Sequence, residues 1–203
     1  MIYNMDFLIS AMVILLLILW HFLGQKRAED LNNRVFLFFA VLGTADVVAE
    51  FFTNYYITSY NSDMENAAVI VTTIFYLLQA LLPATFIFYI QTLHEQKIIS
   101  AKKMFISGVP TLVLISVILT NPFTEKLFSF DVTAGYVKGP WYLLMYVSAL
   151  GHFAVALLLI LLWRKKLGPQ KEKILLEIFV ISGVGVVLQM FCQSLLMTGF
   201  GMS

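Results

Sequence analysis

Two carboxylic acids stand inside an apolar stretch of this sequence. Asp46 and Glu50 are four residues apart within Val35–Ile57, so a helix places them one turn apart on one face. An ionised side chain at membrane depth is costly and ordinarily faces a cavity or a partner. Two acids at this spacing also repel, so either one is protonated near neutral pH or both reach water. No lysine or arginine lies inside any apolar run to neutralise them. The chemistry open to such a pair is binding of a cation or an amine, or a proton-linked switch. The structural alternative is an acid hydrogen-bonded between helices.

Other polar residues recur at helical spacing. Tyr76, Gln79 and Pro83 fall at i, i+3 and i+7 of the next apolar run. Pro83 has no N–H, which frees the carbonyl of Gln79 and favours a kink there. Polar side chains on such a stripe either bridge helices or line a pocket. His152 is the one histidine well inside an apolar run. It is either a locally satisfied packing residue or a group that titrates near Asp46 or Glu50. Gln189 and Gln193 are one turn apart in the last run, below which Gly183 and Gly185 allow close helix approach. The candidate ligand-binding set is Asp46, Glu50, Tyr76, Gln79, His152 and Gln189.

The sequence offers no counterpart for enzyme chemistry. Its His, Cys and acidic residues lack metal-ligand spacing. It has no phosphate loop, no Gly-x-Ser-x-Gly and no Cys-x-x-Cys. We therefore assign no catalytic residue, no metal and no cofactor. Cys192 stands alone, so no intrachain disulfide forms. A formal net charge of +1 and the lack of a basic-aromatic stripe argue against a nucleic-acid partner.

The elements that must position these residues are membrane helices. The chain is 60% hydrophobic and 12% charged, where a soluble domain is about half apolar and a quarter charged. A span needs about 20 mostly apolar residues. Six runs qualify, at 7–23, 35–57, 67–93, 104–120, 141–163 and 174–197. Each must be helical, because lipid satisfies no open backbone group. Alternate connections carry eleven Lys and Arg residues, against two (Lys126 and Lys138) on the other side. This bias puts the basic side in the cytoplasm and the N-terminus outside. The first run lacks a basic leader and a small-residue cleavage site, so it reads as a retained span. The sequence ends with no charged stop and no soluble tail, as a bare module or as one lacking a seventh span.

The longest break between apolar runs is 121–141. Asn121-Pro122, Ala134-Gly135 and Gly139-Pro140 are turn signals. Leu127–Asp131 and Tyr136–Lys138 are strand-like, with a turn at Val132–Gly135 in which Gly135 takes positive φ. The aromatics Phe123, Phe128, Phe130, Tyr136 and Trp141 are too many for a solvated linker. The stretch reads as a folded extracellular hairpin, either a plain connector or a lid above Glu50.

The same stretch carries a resemblance. Asn121-Pro122-Phe123-Thr124, Phe128-Ser129-Phe130-Asp131 and Gly135-Tyr136-Val137-Lys138-Gly139-Pro140-Trp141-Tyr142, with Tyr146 after it, resemble the loop between the fourth and fifth spans of bacterial seven-helix sensor regions. Those regions precede diguanylate cyclase (GGDEF) or histidine kinase domains. The third run, with Gln79-Ala-Leu-Leu-Pro83 and Tyr89, is also similar. The candidate lid residues, read from the turn signals and aromatics of this stretch, are Asn121, Pro122, Phe130, Asp131, Gly135, Tyr136, Gly139, Pro140, Trp141 and Tyr142. The resemblance assigns no ligand residues, and against that pattern the sequence reads as the first six spans, without the seventh span and output domain that the family would add.

The expectation is one all-α polytopic membrane bundle over 1–203: six transmembrane helices and a short β-hairpin-like extracellular loop between the fourth and fifth. Its expected role is a sensory module in a bacterial cytoplasmic membrane. The alternative is a small proton- or cation-coupled transporter. Its expected partners are the lipid bilayer, an unidentified small-molecule or lipid ligand, and a second copy of the chain.

Overall fold

Local chemistry sets where each apolar run begins and ends as a helix. The computed structural model describes the backbone of residues 5–24, 30–95, 101–131 and 135–191, and the side chains of 8–24, 30–61, 63–94, 108–131 and 135–180. Within these, the helices are α1 (Met5–Gly24), α2 (Leu31–Thr58), α3 (Glu65–Glu95), α4 (Ala101–Thr124), α5 (Leu143–Leu167) and α6 (Pro169–Phe191). Asp30 caps α2, its Oδ1 accepting from the Asn33 N–H at 2.8 Å. Gly168, at φ 77°, ends α5 and donates its N–H to the Arg164 carbonyl. Arg164, Lys165 and Lys166 fill that last turn, where cations favour the helix dipole. Pro169 then opens α6, at a position where a missing N–H costs little.

α3 is the central helix. It packs most extensively on α2 and also meets α5, α4 and the hairpin, while α1 lies on α2 and α6 on α5. It runs unbroken through Pro83. One core cluster lies at the hairpin end, around Phe75, Tyr76, Leu114, Ile118, Leu127 and Phe128. A second lies at the opposite end, around Phe86, Ile90, Ile160 and Leu175. Val47 joins α2 to Leu8, Ala11 and Leu15 of α1.

Three helices are long and apolar enough to cross a membrane: Leu31–Thr58, Glu65–His94 and Leu143–Leu167. Two shorter apolar stretches, Leu8–Gly24 and Gly108–Thr124, belong to α1 and α4. The architecture therefore supports three spans by length and composition, where the sequence offers six candidates. Large apolar side chains such as Leu17, Phe38, Ile70, Val113 and Leu162 point outward. A soluble monomer rarely exposes contiguous patches of this kind, whereas lipid accepts them.

The segment 121–141 differs from expectation in one respect and agrees in another. Asn121-Pro122 does not end the fourth helix, because α4 continues to Thr124. A proline this close to the end deprives only one carbonyl of its helical donor. The helix ends one turn later, at Glu125 with φ 53°, whose N–H donates to the Asn121 carbonyl at 2.8 Å. Beyond it stand two antiparallel strands, β1 (Phe128–Asp131) and β2 (Gly135–Lys138). Their register pairs Phe128 with Lys138 and Asp131 with Gly135. Gly135 has the expected positive φ, 69°. Residues 132–134, where the turn was expected, lie outside the described residues.

Candidate functional site

Helical periodicity puts Gly43, Asp46, Glu50, Thr53 and Asn54 on one side of α2. That side meets α3: a Cβ built on Gly43 would lie 3.9 Å from Leu82 Cδ2. Asp46 and Glu50 have no exposed surface, and Thr53 and Asn54 are buried. Neither carboxylate oxygen of Asp46 has a hydrogen-bond partner among the described residues. The Thr53 hydroxyl and the Asn54 amide nitrogen are likewise buried without one.

α3 answers with a stripe of its own. Thr72, Tyr76, Gln79 and Pro83 follow one another at i, i+4, i+7 and i+11. Thr72 is fully buried with an unpartnered hydroxyl, and the Gln79 amide nitrogen is shielded without a partner. Pro83 removes the helical donor for the Gln79 carbonyl. The α2–α3 contact is therefore a seam that holds more unmatched donors and acceptors than native interiors usually tolerate. Its acceptors are the Asp46 carboxylate oxygens, and its donors include the Asn54 and Gln79 amides. Water, a cation or a protonated amine has the chemistry to satisfy them.

The hairpin closes one end of this helix pair. Tyr76 and Tyr136 share a hydrogen bond between their hydroxyls. Tyr60 stacks on Phe130 with ring centroids 5.2 Å apart, and Tyr76 lies 5.3 Å from Phe128. Leu127 and Phe128 are wholly buried beneath the strands. Of the five loop aromatics, Phe128, Phe130 and Tyr136 pack on the bundle. Phe123 does not: it is 89% exposed, because the extra turn of α4 carries it outward, and Trp141 is exposed as well. Such a placement suits aromatics of a membrane interface.

Asn121 fastens the hairpin. Its Oδ1 accepts from the N–H groups of Leu127 (2.7 Å) and Phe128 (3.3 Å), and its Nδ2 donates to the Phe128 carbonyl (2.9 Å). Gly139 closes the base, its N–H donating to the Leu127 carbonyl at 2.8 Å. A Cβ at Gly139 would fall 2.2 Å from the Lys126 carbonyl oxygen, so no other residue fits there. Trp141 donates its N–H to that same oxygen and carries the Lys126 Nζ 4.2 Å above its ring. Pro122, Asp131 and Pro140 are exposed. Burial pushes the Tyr142 phenol well above its ordinary range, and the neighbouring Tyr136 and Tyr146 add to this. Burial also lowers the Lys138 ammonium, which sits 4.6 Å from the Tyr142 ring.

His152 belongs to a different place. It lies on α5, where Nδ1 donates to the Ser148 carbonyl at 2.7 Å. A carbonyl only accepts, so Nδ1 carries a proton, and Nε2 shares a hydrogen bond with the Thr111 hydroxyl at 2.8 Å. Both ring nitrogens are thereby used within the α4–α5 contact. The backbone of Gln189 lies in α6; its side chain, and Gln193 altogether, lie outside the described residues.

The structure thus puts Asp46, Glu50, Tyr76 and Gln79 on one packed helix pair and sets His152 apart. Sequence reasoning missed Asn121 as a hydrogen-bonding hub, since an asparagine before proline reads as a turn. It also missed Thr111, whose value shows only once α4 meets α5. Among the described residues no group of His, Cys, Asp and Glu is arranged to hold a metal ion. Comparison with protein-family models, with curated proteins and with solved structures finds no match.

Proposed function

We propose that this chain is the membrane-embedded sensory module of a bacterial signalling protein. Its six helices cross the membrane with the N-terminus and the hairpin outside and the basic connections in the cytoplasm. The cue is a small cation, a protonated amine or the proton itself, taken up at the α2–α3 seam. Binding there favours one packing of α2 on α3 over another, and the later helices relay the change to a cytoplasmic output domain, in a pair of chains. A few kcal/mol of differential affinity is enough to bias two such packings. The observation that carries this reading is Asp46, a fully buried carboxylate whose oxygens have no donor among the described residues, on a helix pair that the hairpin caps. The resemblance of 121–142 to the loop of seven-helix sensor regions supports the signalling class.

The same carboxylate also favours a second reading, a small proton- or cation-coupled transporter. Proteoliposomes separate the two. A sensor binds amines or monovalent cations without moving them, and Asp46→Asn removes binding. Sustained uptake driven by a pH gradient, lost in Asp46→Asn, decides for the transporter. Binding that survives Asp46→Asn rejects the seam under both readings. A transcript that continues into a seventh span and a GGDEF or kinase domain is the independent check on the signalling class.

A further inference from the structure

Helices α2 and α3 pack antiparallel in a regular register. Phe36 meets Tyr89 with ring centroids 5.9 Å apart, and Phe39 meets Phe86 at 6.0 Å. A Cβ built on Gly43 would lie 3.9 Å from Leu82. Each step along α2 is thus matched by an equal step back along α3. Continued, the same register sets Asp46 level with Gln79, and Thr53 level with Thr72. Leu82 and Phe86, which meet α2, share a face of α3 with Gln79 and Pro83. The Gln79 carbonyl points along that face toward Pro83, which has no N–H to give it.

Asp46 therefore stands level with a main-chain carbonyl deprived of its helical donor. An ionised carboxylate only accepts, and so does a carbonyl. Two bare acceptors buried together in an apolar seam are costly. Nothing else among the described residues resolves the conflict. Asp46 and Glu50 have no exposed surface, so no space the size of a water molecule touches either carboxyl. The Asn54 and Gln79 amide nitrogens are buried and unmatched, yet neither is bonded to Asp46. The titratable groups on the facing sides are Glu50 on α2 and Tyr76 on α3. Helix α1, which packs on Val47, brings only His21 among its described residues, beside Phe36 and about three turns from Asp46. No set of His, Cys, Asp and Glu among the described residues is arranged to hold a metal ion.

From this we infer that Asp46 is held as the neutral acid in this packing, its O–H donating to the Gln79 carbonyl that Pro83 leaves open, so that the ligand of the seam is the proton. A proton turns two acceptors into a donor–acceptor pair and needs no added volume. Its loss to water leaves two facing acceptors again, one of them charged, and favours a parted helix pair that admits water. The packed form holds one proton more than the parted form, so acidification favours packing and alkalinisation favours parting. Pro83 is a positioning residue, which acts by keeping the Gln79 carbonyl free. This rests on the reading of the seam as the cue site and narrows its three cues to one.

The test is infrared difference spectroscopy of the full chain in nanodiscs across pH, read at the C=O stretch of a protonated carboxylic acid. The wild type should show a band that shifts in D2O and vanishes reversibly on alkalinisation. The band should be missing in Asp46→Asn and kept in Glu50→Gln. Saturating sodium or methylammonium at constant pH should leave it in place. Pro83→Ala returns a helical donor to the Gln79 carbonyl, so it should raise the band's frequency and weaken proton binding about tenfold, the worth of one hydrogen bond. Gln79→Leu keeps the main-chain carbonyl and should do neither. The inference is overturned by the lack of an Asp46-dependent band at every pH, by a Pro83→Ala spectrum like the wild type, or by a Gln79→Leu spectrum like that expected of Pro83→Ala. A band that sodium or methylammonium removes at constant pH also overturns it, while keeping the seam as a cation site. A band that behaves as expected, in a chain whose hairpin hydrogen exchange ignores pH, supports the proton and defeats the sensory reading. Should Asp46→Asn fail to accumulate, carbon-13 NMR of the wild-type chain labelled at its five aspartate carboxyls gives the answer. One carboxyl should keep the shift of a neutral acid at a pH where the exposed Asp30 and Asp131 have ionised, and five that ionise together overturn the inference.

Discussion

The α2–α3 seam and the α4–α5 contact both bury polar side chains, but they treat them differently. At the α4–α5 contact His152 uses both ring nitrogens on protein partners, Thr111 and the Ser148 carbonyl. At the seam the Asp46 carboxylate has none among the described residues, and Thr53, Asn54, Thr72 and Gln79 each keep a buried atom unmatched. A satisfied polar group fixes one packing. An unsatisfied one leaves room for a second state, or for a ligand that completes it. Residue type alone does not separate the two, since histidine and aspartate are equally suspect at membrane depth. The partner on the next helix decides.

The largest effect should come from the hairpin that caps the seam. Gly139→Val forces a side chain into the Lys126 carbonyl and opens the base of the strands. We expect a loss of about 3 kcal/mol, which for a chain of this size lowers Tm by about 6–12 °C. Hydrogen exchange across Leu127–Lys138 should quicken in the variant. Unchanged protection there would mean that the hairpin is not closed at Gly139.

The next pair of variants sharpens the contrast directly. Thr111→Val leaves the His152 Nε2 buried without its partner, and should lower stability by about 2 kcal/mol. Asp46→Asn keeps the volume and removes an acid that no donor among the described residues supports, so its Tm should hold or rise. A thermal melt of both variants in one detergent checks this. A larger loss for Asp46→Asn than for Thr111→Val would reverse the assignment of structural and functional polar groups. Tyr136→Phe should cost less, about 1 kcal/mol, because it removes one half-buried hydroxyl bond to Tyr76.

The smallest effect is a pH dependence at Lys138. Burial lowers its folded pKa below the ordinary 10.5. The folded hairpin therefore sheds this proton before the unfolded chain does. Its contribution to stability rises as pH climbs through the lowered value and levels off above the ordinary one. The side chain is mostly exposed, so the slope is shallow. Comparing melts of wild type and Lys138→Gln at alkaline pH isolates it, and a difference of opposite sign would contradict the burial.

Much of this architecture was legible in the sequence. The apolar runs marked every described α-helix, whereas the ends set by Asp30 and Gly168 emerged only from the structure. The period-two aromatics Phe128 and Phe130, with Gly135, marked the strands. What stayed hidden was relational. Asn121 reads as a turn residue until its side chain is seen bridging to Leu127 and Phe128, six and seven residues on. Phe123 reads as one more packing aromatic until the extra helical turn carries it outward. His152 and Asp46 look alike until Thr111 is found next to one of them. Six apolar runs were legible too, but length and composition in the described helices support three spans.

The central claim is that the seam at Asp46 and the hairpin act as one unit. Hydrogen exchange of the Leu127–Lys138 amides, measured in nanodiscs at acidic and neutral pH and corrected for intrinsic rates, tests it most directly. Protection of these amides should change with pH in the wild type and stay constant in Asp46→Asn. Identical pH behaviour in the two proteins would contradict it.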